Sequence, residues 1–252
     1  KKTIQLNKTK NLSRLIDKYL RAIFDDRNVP ADLQQKLIDF YYKKLGKAVN
    51  IGYKKTLEFF DEALAESLKA NILEFSTFKE ASFRTALVEV ITDSGKLPTW
   101  SEFKIKALEV SELYNVNWLQ TEYNQTIATA NMAGKYRDFQ ETADVYPNLQ
   151  YVTVGDARVR DKHKKYDGFI APINHPIWNK LLPPQDWGCR CDIIPTDEAP
   201  TKGYETFNPK TKAEFANNPA ISGKVFKDST YEATLTDTFK KEAKNNVDKY
   251  KA

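Results

Sequence analysis

One stretch, residues 155–195, gathers the residues of this chain that most often build sites. It contains both histidines, both cysteines, two of the four tryptophans and five of the eleven prolines. Turn-forming residues are frequent in it and no apolar period runs through it. An irregular segment of this length inside a compact domain is usually functional or pinned by specific contacts. Any fold of this chain must therefore enclose the stretch between regular elements and satisfy its polar groups.

The rest of the sequence is that of a mainly helical protein. Its 252 residues are enough for one or two domains with a sizeable core. A hydrophobic fraction of 41% and a charged fraction of 29% fit a globular protein with extended or partner-dependent parts. No run of about 18 apolar residues occurs, and the start lacks the apolar core of a signal peptide. We therefore expect no membrane span and no membrane partner.

Apolar residues recur at helical spacing before residue 92. We predict helices at residues 9–24, from Pro30 to about residue 45, at 56–73 and at 78–91, with a break near Gly46 and Gly52. The apolar face through Leu33, Leu37 and Tyr41 exceeds what a small domain needs. We expect this face to contact other proteins.

A long helical pattern follows. It begins either at Thr99, with a capping box to Glu102, or at Ser101, and it runs to Glu141 with an expected break at residues 115–117. The half from Trp118 to Phe139 is a second predicted partner surface. Small side chains allow another backbone to approach it closely: Ala128, Ala130, Ala133 and Gly134.

Two short strands are predicted around the central stretch. Residues 149–154 alternate and are β-branched, and residues 191–195 form the second strand. Beyond Pro195 an extended linker, with Phe215 and Phe226 as docking residues, leads to a last helix from Ser229 to Tyr250. The predicted fold is α+β: a mainly helical N-terminal region at 1–98, a small, loop-rich, β-containing motif domain at 99–196, and a linker with a C-terminal helix at 197–252.

Two imidazoles and two thiolates in one loop are a donor set for zinc. Structural zinc sites take four nitrogen or sulfur ligands in a tetrahedron. The cysteines are separated by one residue, which differs from the common C-x₂₋₄-C knuckle. We predict one structural zinc ion, closed to water, held by His163, His175, Cys189 and Cys191. A metal-free core of buried thiols and tryptophans, held by Asp–Arg pairs, is the alternative.

The charged residues of the stretch predict a polar network that is compatible with either account. Arg158 and Arg160 would pair with nearby aspartates through bidentate contacts. Two glycines suit positions of positive φ, and two tryptophans would form the local core. The predicted structural residues are Asp156, Asp167, Gly168, Trp178, Trp187, Gly188 and Arg190.

Basic residues also favour weak nucleic-acid contact. The net charge of +5 is only a mild excess. A local cluster beside Tyr166 could reach phosphates: Arg158, Arg160, Lys162, Lys164 and Lys165. A solvated basic face is the other interpretation. Catalysis is not expected, because G-x-S-x-G, H-E-x-x-H and G-x-x-x-x-G-K patterns are missing from the sequence.

The order of these residues resembles the signature of the phage Mu F-like minor head proteins, also called phage head morphogenesis proteins. The string D-x-R-V-R-x-x-H-x-x-x-D-G runs from Asp156 to Gly168, and P-P-x-x-W-G-C-R-C runs from Pro183 to Cys191. With the preceding helix the resemblance covers about residues 115–196.

The resemblance implies a structural minor head protein of a tailed phage or prophage, in the host cytoplasm during assembly and then at the portal vertex or inside the capsid. Its implied partners are the portal protein, other virion proteins, further copies of itself, and packaged DNA bound weakly and without specificity. The implied role is head assembly or DNA packaging and delivery. The alternative is a virion-loaded enzyme or toxin-like effector of the nuclease or ADP-ribosyltransferase class.

Overall fold

A computed structural model describes residues 10–92 and 97–251 of the chain. Helices dominate, and three short strands form one antiparallel sheet, which confirms the mainly helical α+β prediction. The long helices are α1 Lys10–Asp26, α2 Ala31–Gly52, α3 Glu62–Thr92, α4 Trp100–Glu112 and α5 Leu119–Glu141. The later elements are β1 Asn148–Val152, α6 Asp161–Lys164, β2 Ile170–Pro172, α7 Trp178–Leu181, β3 Asp192–Thr196, α8 Pro219–Ser222, α9 Thr230–Ala233 and α10 Asp237–Lys251.

The chain packs as two compact units, each assembled from separate segments. One contains the described parts of 1–46, 72–123 and 229–252, and the other contains 47–71 and 124–228. The predicted domains, with borders at residues 98 and 196, are continuous segments of the sequence. These borders stay a prediction. No described helix is both long and apolar enough to cross a membrane.

The first unit is built on helices whose apolar residues recur every three or four positions. In α1 the buried residues follow this spacing, as the sequence predicts: Leu12, Ile16, Tyr19, Leu20 and Ile23. The partner face predicted on α2 is wrong for Leu37 and Tyr41, because both are fully buried in the core. Their apolar area is used within the chain.

Helix α3 replaces two predicted helices with one of 31 residues. The interruption expected after residue 73 does not occur. Ser76 donates its hydroxyl to the Ile72 carbonyl at 2.7 Å, and Thr77 donates to the Leu73 carbonyl at 2.9 Å. These bonds satisfy both hydroxyls inside the helix, so the polar pair does not break it.

Helices α4 and α5 are joined through a π-helical segment, Leu113–Trp118, where a break was expected. Of the two predicted starts the structure has the one at Thr99, with its capping box: Thr99 accepts from the Glu102 N–H, and the Glu102 carboxylate accepts from the Thr99 N–H. Asn115 is buried, donates to Ser111 at 3.1 Å and accepts from the Tyr41 hydroxyl. With these partners Asn115 is accommodated within the wider turn.

In the second unit, the end of α2 packs closely against α5. Helix α2 continues through Gly46 to Gly52, where a Cβ would stand 2.4 Å from the Ile127 carbonyl oxygen and 2.8 Å from the Ala130 Cβ. On α5, a Cβ at Gly134 would stand 2.9 Å from a Leu57 methyl group. Ala130 therefore admits the backbone of α2 at Gly52, as predicted, whereas Gly134 makes room for the Leu57 side chain.

The sheet of the second unit has the order β2–β1–β3. Strand β1 pairs antiparallel with both neighbours, so that Leu149 lies opposite Ala171 and Pro195. Strand β2 was not predicted, because three residues carry too little alternation to be recognised. Buried side chains of the sheet pack with α5 and α7 in one apolar cluster, which includes Tyr136, Leu149, Tyr151, Trp178 and Ile193.

The segment after β3 packs onto this unit through aromatic side chains. Phe215 and Phe226 are buried, and their ring centroids lie 5.1 and 5.3 Å from that of Trp187. Both residues therefore dock the linker as the sequence predicts. The last predicted helix, from Ser229 to Tyr250, is instead two helices, α9 and α10, separated by residues 234–236.

Candidate functional site

Two turns bring the central stretch back onto itself. After β1 the chain loops to α6, whose single turn buries His163. Gly188, at φ 68°, turns the chain directly before Cys189. Cys191 follows two residues later and is the last residue before β3. The Gly188 N–H donates to the side-chain oxygen of Gln125 on α5 at 3.0 Å. Positive φ strains a residue with a Cβ, so glycine suits this turn.

His163, Cys189 and Cys191 form one cluster. The Nδ1 atom of His163 lies 3.6 Å from the sulfur of Cys189 and 3.8 Å from that of Cys191. All three donor atoms lie within 4.8 Å of one another. Three of the four predicted zinc ligands are therefore brought together.

His175, the fourth predicted ligand, has other neighbours. Its Nδ1 accepts a hydrogen bond from the Ile177 N–H at 3.2 Å, and its ring meets Tyr204 edge-on at 5.0 Å. It is not a member of the three-residue cluster. A metal ion held at the cluster would have three protein ligands among these four residues.

The two thiols are inequivalent. A hydrogen bond from Cys191, helped by one to His163, lowers the pKa of Cys189 against the cost of burial. The same pairing with Cys189, together with burial, raises the pKa of Cys191. One proton shared between the two sulfurs stabilises a thiolate at Cys189. The cluster therefore offers a soft anionic donor next to an imidazole.

The sequence predicts bidentate aspartate contacts for Arg158 and Arg160, but each of these approaches an aspartate through one contact, of 3.7 and 3.8 Å. The bidentate contact belongs to another arginine beside the cluster. Arg190 binds Asp156 through two parallel hydrogen bonds of 2.7 Å. This fork, more than any other contact, lowers the pKa of Asp156 to about 2. Asp156 also accepts from the Arg158 N–H at 3.0 Å. The pair joins the loop after β1 to the residue between the two cysteines.

A second carboxylate, Asp186, ties the stretch to the linker. It is 5% exposed and is reached by Lys162 at 2.5 Å, Lys212 at 2.8 Å and the Arg160 Nε at 3.8 Å. Arg160 also donates to the Trp187 carbonyl at 2.7 Å. These contacts use three basic side chains in holding the fold together.

Asp167 and Gly168 close the turn that leads into β2. The Asp167 carboxylate accepts from the Thr153 N–H at 2.7 Å. Gly168, at φ 78°, donates its N–H to the Tyr151 carbonyl at 2.9 Å. Trp178 is 1% exposed in the apolar cluster and donates its ring N–H to the Pro172 carbonyl. These predicted structural residues therefore all have partners within the unit.

The predicted nucleic-acid cluster is exposed but largely paired. Lys164 contacts Asp161 at 3.1 Å, and Arg158 approaches Asp156 at 3.7 Å. Tyr166, proposed to sit beside these cations, is buried against Tyr151. Lys165 is exposed. Weak DNA contact by Arg158, Arg160, Lys162, Lys164 and Lys165 stays a prediction.

Sequence reasoning missed three residues that support the site: Gln125, Tyr151 and Lys212. The Tyr151 hydroxyl contacts Cys191 and donates to Gln185 at 3.1 Å. Burial, and then the nearby Cys189, raise the pKa of Tyr151. Alternation along β1 could have placed Tyr151 on the inner face with Leu149. Gln125 and Lys212 lie far away in sequence, and no local pattern marks them.

Comparison with known proteins agrees with the resemblance in the motif. Residues 96–194 match the family described as Phage Mu protein F like protein. The putative capsid assembly protein F of Escherichia phage Mu is 31% identical over 125 residues, covering 47% of this chain and 28% of that protein. The Mu-like prophage FluMu F protein of Haemophilus influenzae is 34% identical over 98 residues, 39% of this chain and 24% of its own.

A short match reaches beyond phages. An uncharacterized protein of Methanocaldococcus jannaschii is 48% identical over 46 residues, which are 18% of this chain and 7% of that protein. No solved structure matches the chain. The chain thus spans about a quarter of the length of the two phage and prophage relatives. The family signature lies in the segment that contains the cluster and the sheet.

Proposed function

Starting from the Mu F-like character of residues 96–194, we propose that the chain is a structural minor head protein of a tailed phage or prophage. The observation that carries this proposal is the match to a protein named as a putative capsid assembly protein. Its role would be in head assembly or in DNA packaging and delivery. It would lie at the portal vertex or inside the capsid.

The contacts of the motif residues support a structural role for the signature. The Asp156–Arg190 fork and the Asp186 ion pairs link segments within one unit. These contacts would preserve the shape that the motif presents to other head proteins.

The proposed partners are the portal protein, other virion proteins and further copies of this chain. Exposed apolar side chains on α4 and the π-helical segment, Ile105 and Leu113, are 61% and 40% exposed. Contact with these partners can be tested by replacing Ile105 or Leu113, because such a substitution disturbs little of the core. Packaged DNA would be at most a weak, salt-sensitive partner, since most of the basic cluster is already paired.

Head incorporation tests the proposal. The tagged chain would be expressed with the portal and major capsid proteins of the same phage, and purified heads would be analysed by quantitative mass spectrometry. We expect a fixed number of copies per head and cross-links to the portal protein. An unrelated tagged protein of equal size serves as the control. Heads that contain no more of this chain than of the control contradict the proposal.

Enzyme assays separate the proposal from the effector alternative. The purified chain would be incubated with DNA and RNA, and separately with labelled NAD and host extract. We expect neither cleavage nor transfer of ADP-ribose. Activity that survives purification and is lost on replacing a residue of the cluster would favour the virion-loaded enzyme.

A further inference from the structure

We propose that His163, Cys189 and Cys191 bind one zinc ion through three protein ligands, and that its fourth position faces an arginine-lined concavity that holds water or a small anion. The inference concerns a site on this chain and does not depend on the role in head assembly. It replaces the closed four-ligand site that the sequence predicts.

The distances suit tetrahedral zinc. With Zn–S near 2.3 Å and Zn–N of 2.0–2.1 Å, a nitrogen and a sulfur ligand stand about 3.5 Å apart. The observed separations from the His163 Nδ1 are 3.6 and 3.8 Å. The two sulfurs are at most 4.8 Å apart, against about 3.8 Å for the corresponding edge of a tetrahedron.

The same ring nitrogen of His163 approaches both sulfurs, which a shared ion would require. His163 is 3% exposed and Cys189 is 8% exposed. The concavity lined by the three side chains has a volume of about 10 Å³, roughly the room that one water molecule or ion needs. Imidazole with two thiolates is a borderline-to-soft donor set, which favours zinc over magnesium or calcium.

The fourth position has no side-chain ligand from His175, whose Nδ1 is engaged by the Ile177 N–H. Three arginines line the concavity instead: Arg158, Arg160 and Arg190. Zinc with two thiolates is formally neutral, so these guanidinium groups are not repelled by the centre. Three protein ligands and an exchangeable fourth one describe an open zinc site. Because Arg158 and Arg190 are paired with Asp156, and Arg160 with Asp186, their charges are partly neutralised, and the fourth position would hold water that a small anion can replace.

The first experiment measures metal on the protein itself. The chain would be purified with zinc, dialysed against metal-free buffer and analysed for metal by mass spectrometry. We expect about one zinc per chain, and loss of it in Cys189→Ser, Cys191→Ser and His163→Gln. The matched control, His175→Asn, should retain the metal. Circular dichroism would confirm that each variant is folded.

Two outcomes overturn the proposal. A wild-type chain that retains no zinc excludes the site, and this measurement does not depend on how any variant folds. A His175→Asn chain that loses zinc shows a four-ligand site and removes the open position.

The second experiment tests the fourth position. Cobalt would replace zinc, because its visible spectrum reports the ligands and geometry. We expect a thiolate charge-transfer band that the cysteine variants lack, and a spectral shift on titration with azide. Arg158→Ala should weaken azide binding several-fold, since Arg158 lines the concavity. Its side chain is 80% exposed, so this substitution should leave the fold intact. A cobalt spectrum that azide leaves unchanged would show a closed site.

Discussion

At Asp186, burial and ion pairing act in opposite directions. Burial alone would raise the pKa of Asp186, but hydrogen bonds from Lys162, Lys212 and the Trp187 N–H outweigh it and lower this pKa to about 2. An aspartate in an unfolded chain has a pKa of about 3.9. Because the folded pKa is the lower one, these contacts add stability that is complete above pH 4 and lost as the pH falls toward 2.

Replacing this carboxylate tests its electrostatic role. At pH 7 we expect Asp186→Asn to lower the free energy of unfolding by on the order of 2 kcal/mol. The difference from wild type should narrow as the pH falls below 4. Urea unfolding of metal-free protein at several pH values measures this difference in the free energy of unfolding. Asp161→Asn, at a carboxylate with 92% exposure, is the control and should stay within about 0.5 kcal/mol. A difference that does not change between pH 7 and pH 3 would contradict the ion-pair account.

Lys79 is a fully buried cation within an aromatic cage. Its Nζ donates to Glu122 at 2.8 Å and to the Tyr231 hydroxyl at 3.0 Å. It also lies 5.3, 5.5 and 5.0 Å from the ring centroids of Tyr41, Tyr114 and Tyr231. Burial lowers the pKa of Lys79, while Glu122 opposes that change. Both the Glu122 carboxylate and the three rings stabilise the charged form of Lys79.

Removing one member of this pair leaves a buried charge without its partner. We expect Lys79→Met to destabilise the chain by about 3–5 kcal/mol, and Lys79→Met with Glu122→Leu to recover most of that loss. Lys36→Met removes an ion pair of similar length, 2.7 Å to Asp32, that is exposed, and should change stability by less than about 1 kcal/mol. Denaturant unfolding measures all three. If the double variant is no more stable than Lys79→Met alone, the unpaired charge of Glu122 is not the cause of the destabilisation.

At the level of elements, one helix carries two glycines with opposite roles. A Cβ at Gly52 would stand 2.4 Å from the Ile127 carbonyl oxygen, whereas at Gly46 the nearest atom, on Tyr42, would be 3.9 Å away. Gly52 therefore permits close packing against α5. Gly46 only adds backbone freedom to the unfolded chain.

These positions predict changes of opposite sign. Gly52→Ala should destabilise the chain by about 1–3 kcal/mol, because the methyl group must push two backbones apart. Gly46→Ala should stabilise it by about 0.5–1 kcal/mol, because alanine costs less entropy in a helix. Thermal unfolding of both variants measures the pair. Equal effects of the two substitutions would show that intrinsic helix propensity, not packing, governs Gly52.

The elements differ in how far sequence could predict them. Amphipathic α1 and the capping box at Thr99 were predicted because their signals are local. The sequence predicts breaks near Ser76 and Asn115, because polar side chains can compete with the hydrogen bonds of a helix. Their actual hydrogen-bond partners are not visible in the local sequence. Those partners include Tyr41, which lies 74 residues from Asn115. Tertiary contacts overrode the local signal there.

For the whole molecule, the candidate site was easier to predict than the packing around it. Four rare ligands in one stretch predicted a cluster, and the structure brings three of them together at His163. Which fourth residue belongs to it depends on the fold, and His175 instead meets Tyr204. The two compact units combine segments distant in sequence, a division that composition along the chain does not reveal.

The proposed zinc site predicts which part of the molecule depends on metal. The ion would join α6, through His163, to the segment entering β3, through Cys189 and Cys191. Binding energy at such a site is folding energy, because the unfolded chain does not hold the ligands together. Removing zinc should therefore loosen residues 155–191 and spare α1, whose buried face is set by its own helical packing.

Hydrogen exchange with mass spectrometry measures this difference between zinc-loaded and chelator-treated protein. We expect exchange in peptides from residues 155–191 to speed up at least tenfold, and peptides from α1 to be unchanged. Cys189→Ser should reproduce the chelated pattern without chelator, and His175→Asn should resemble the zinc-loaded protein. Uniform loss of protection along the chain would instead mean that the metal supports global stability. No change on chelation would favour the metal-free core held by the Asp156–Arg190 pair.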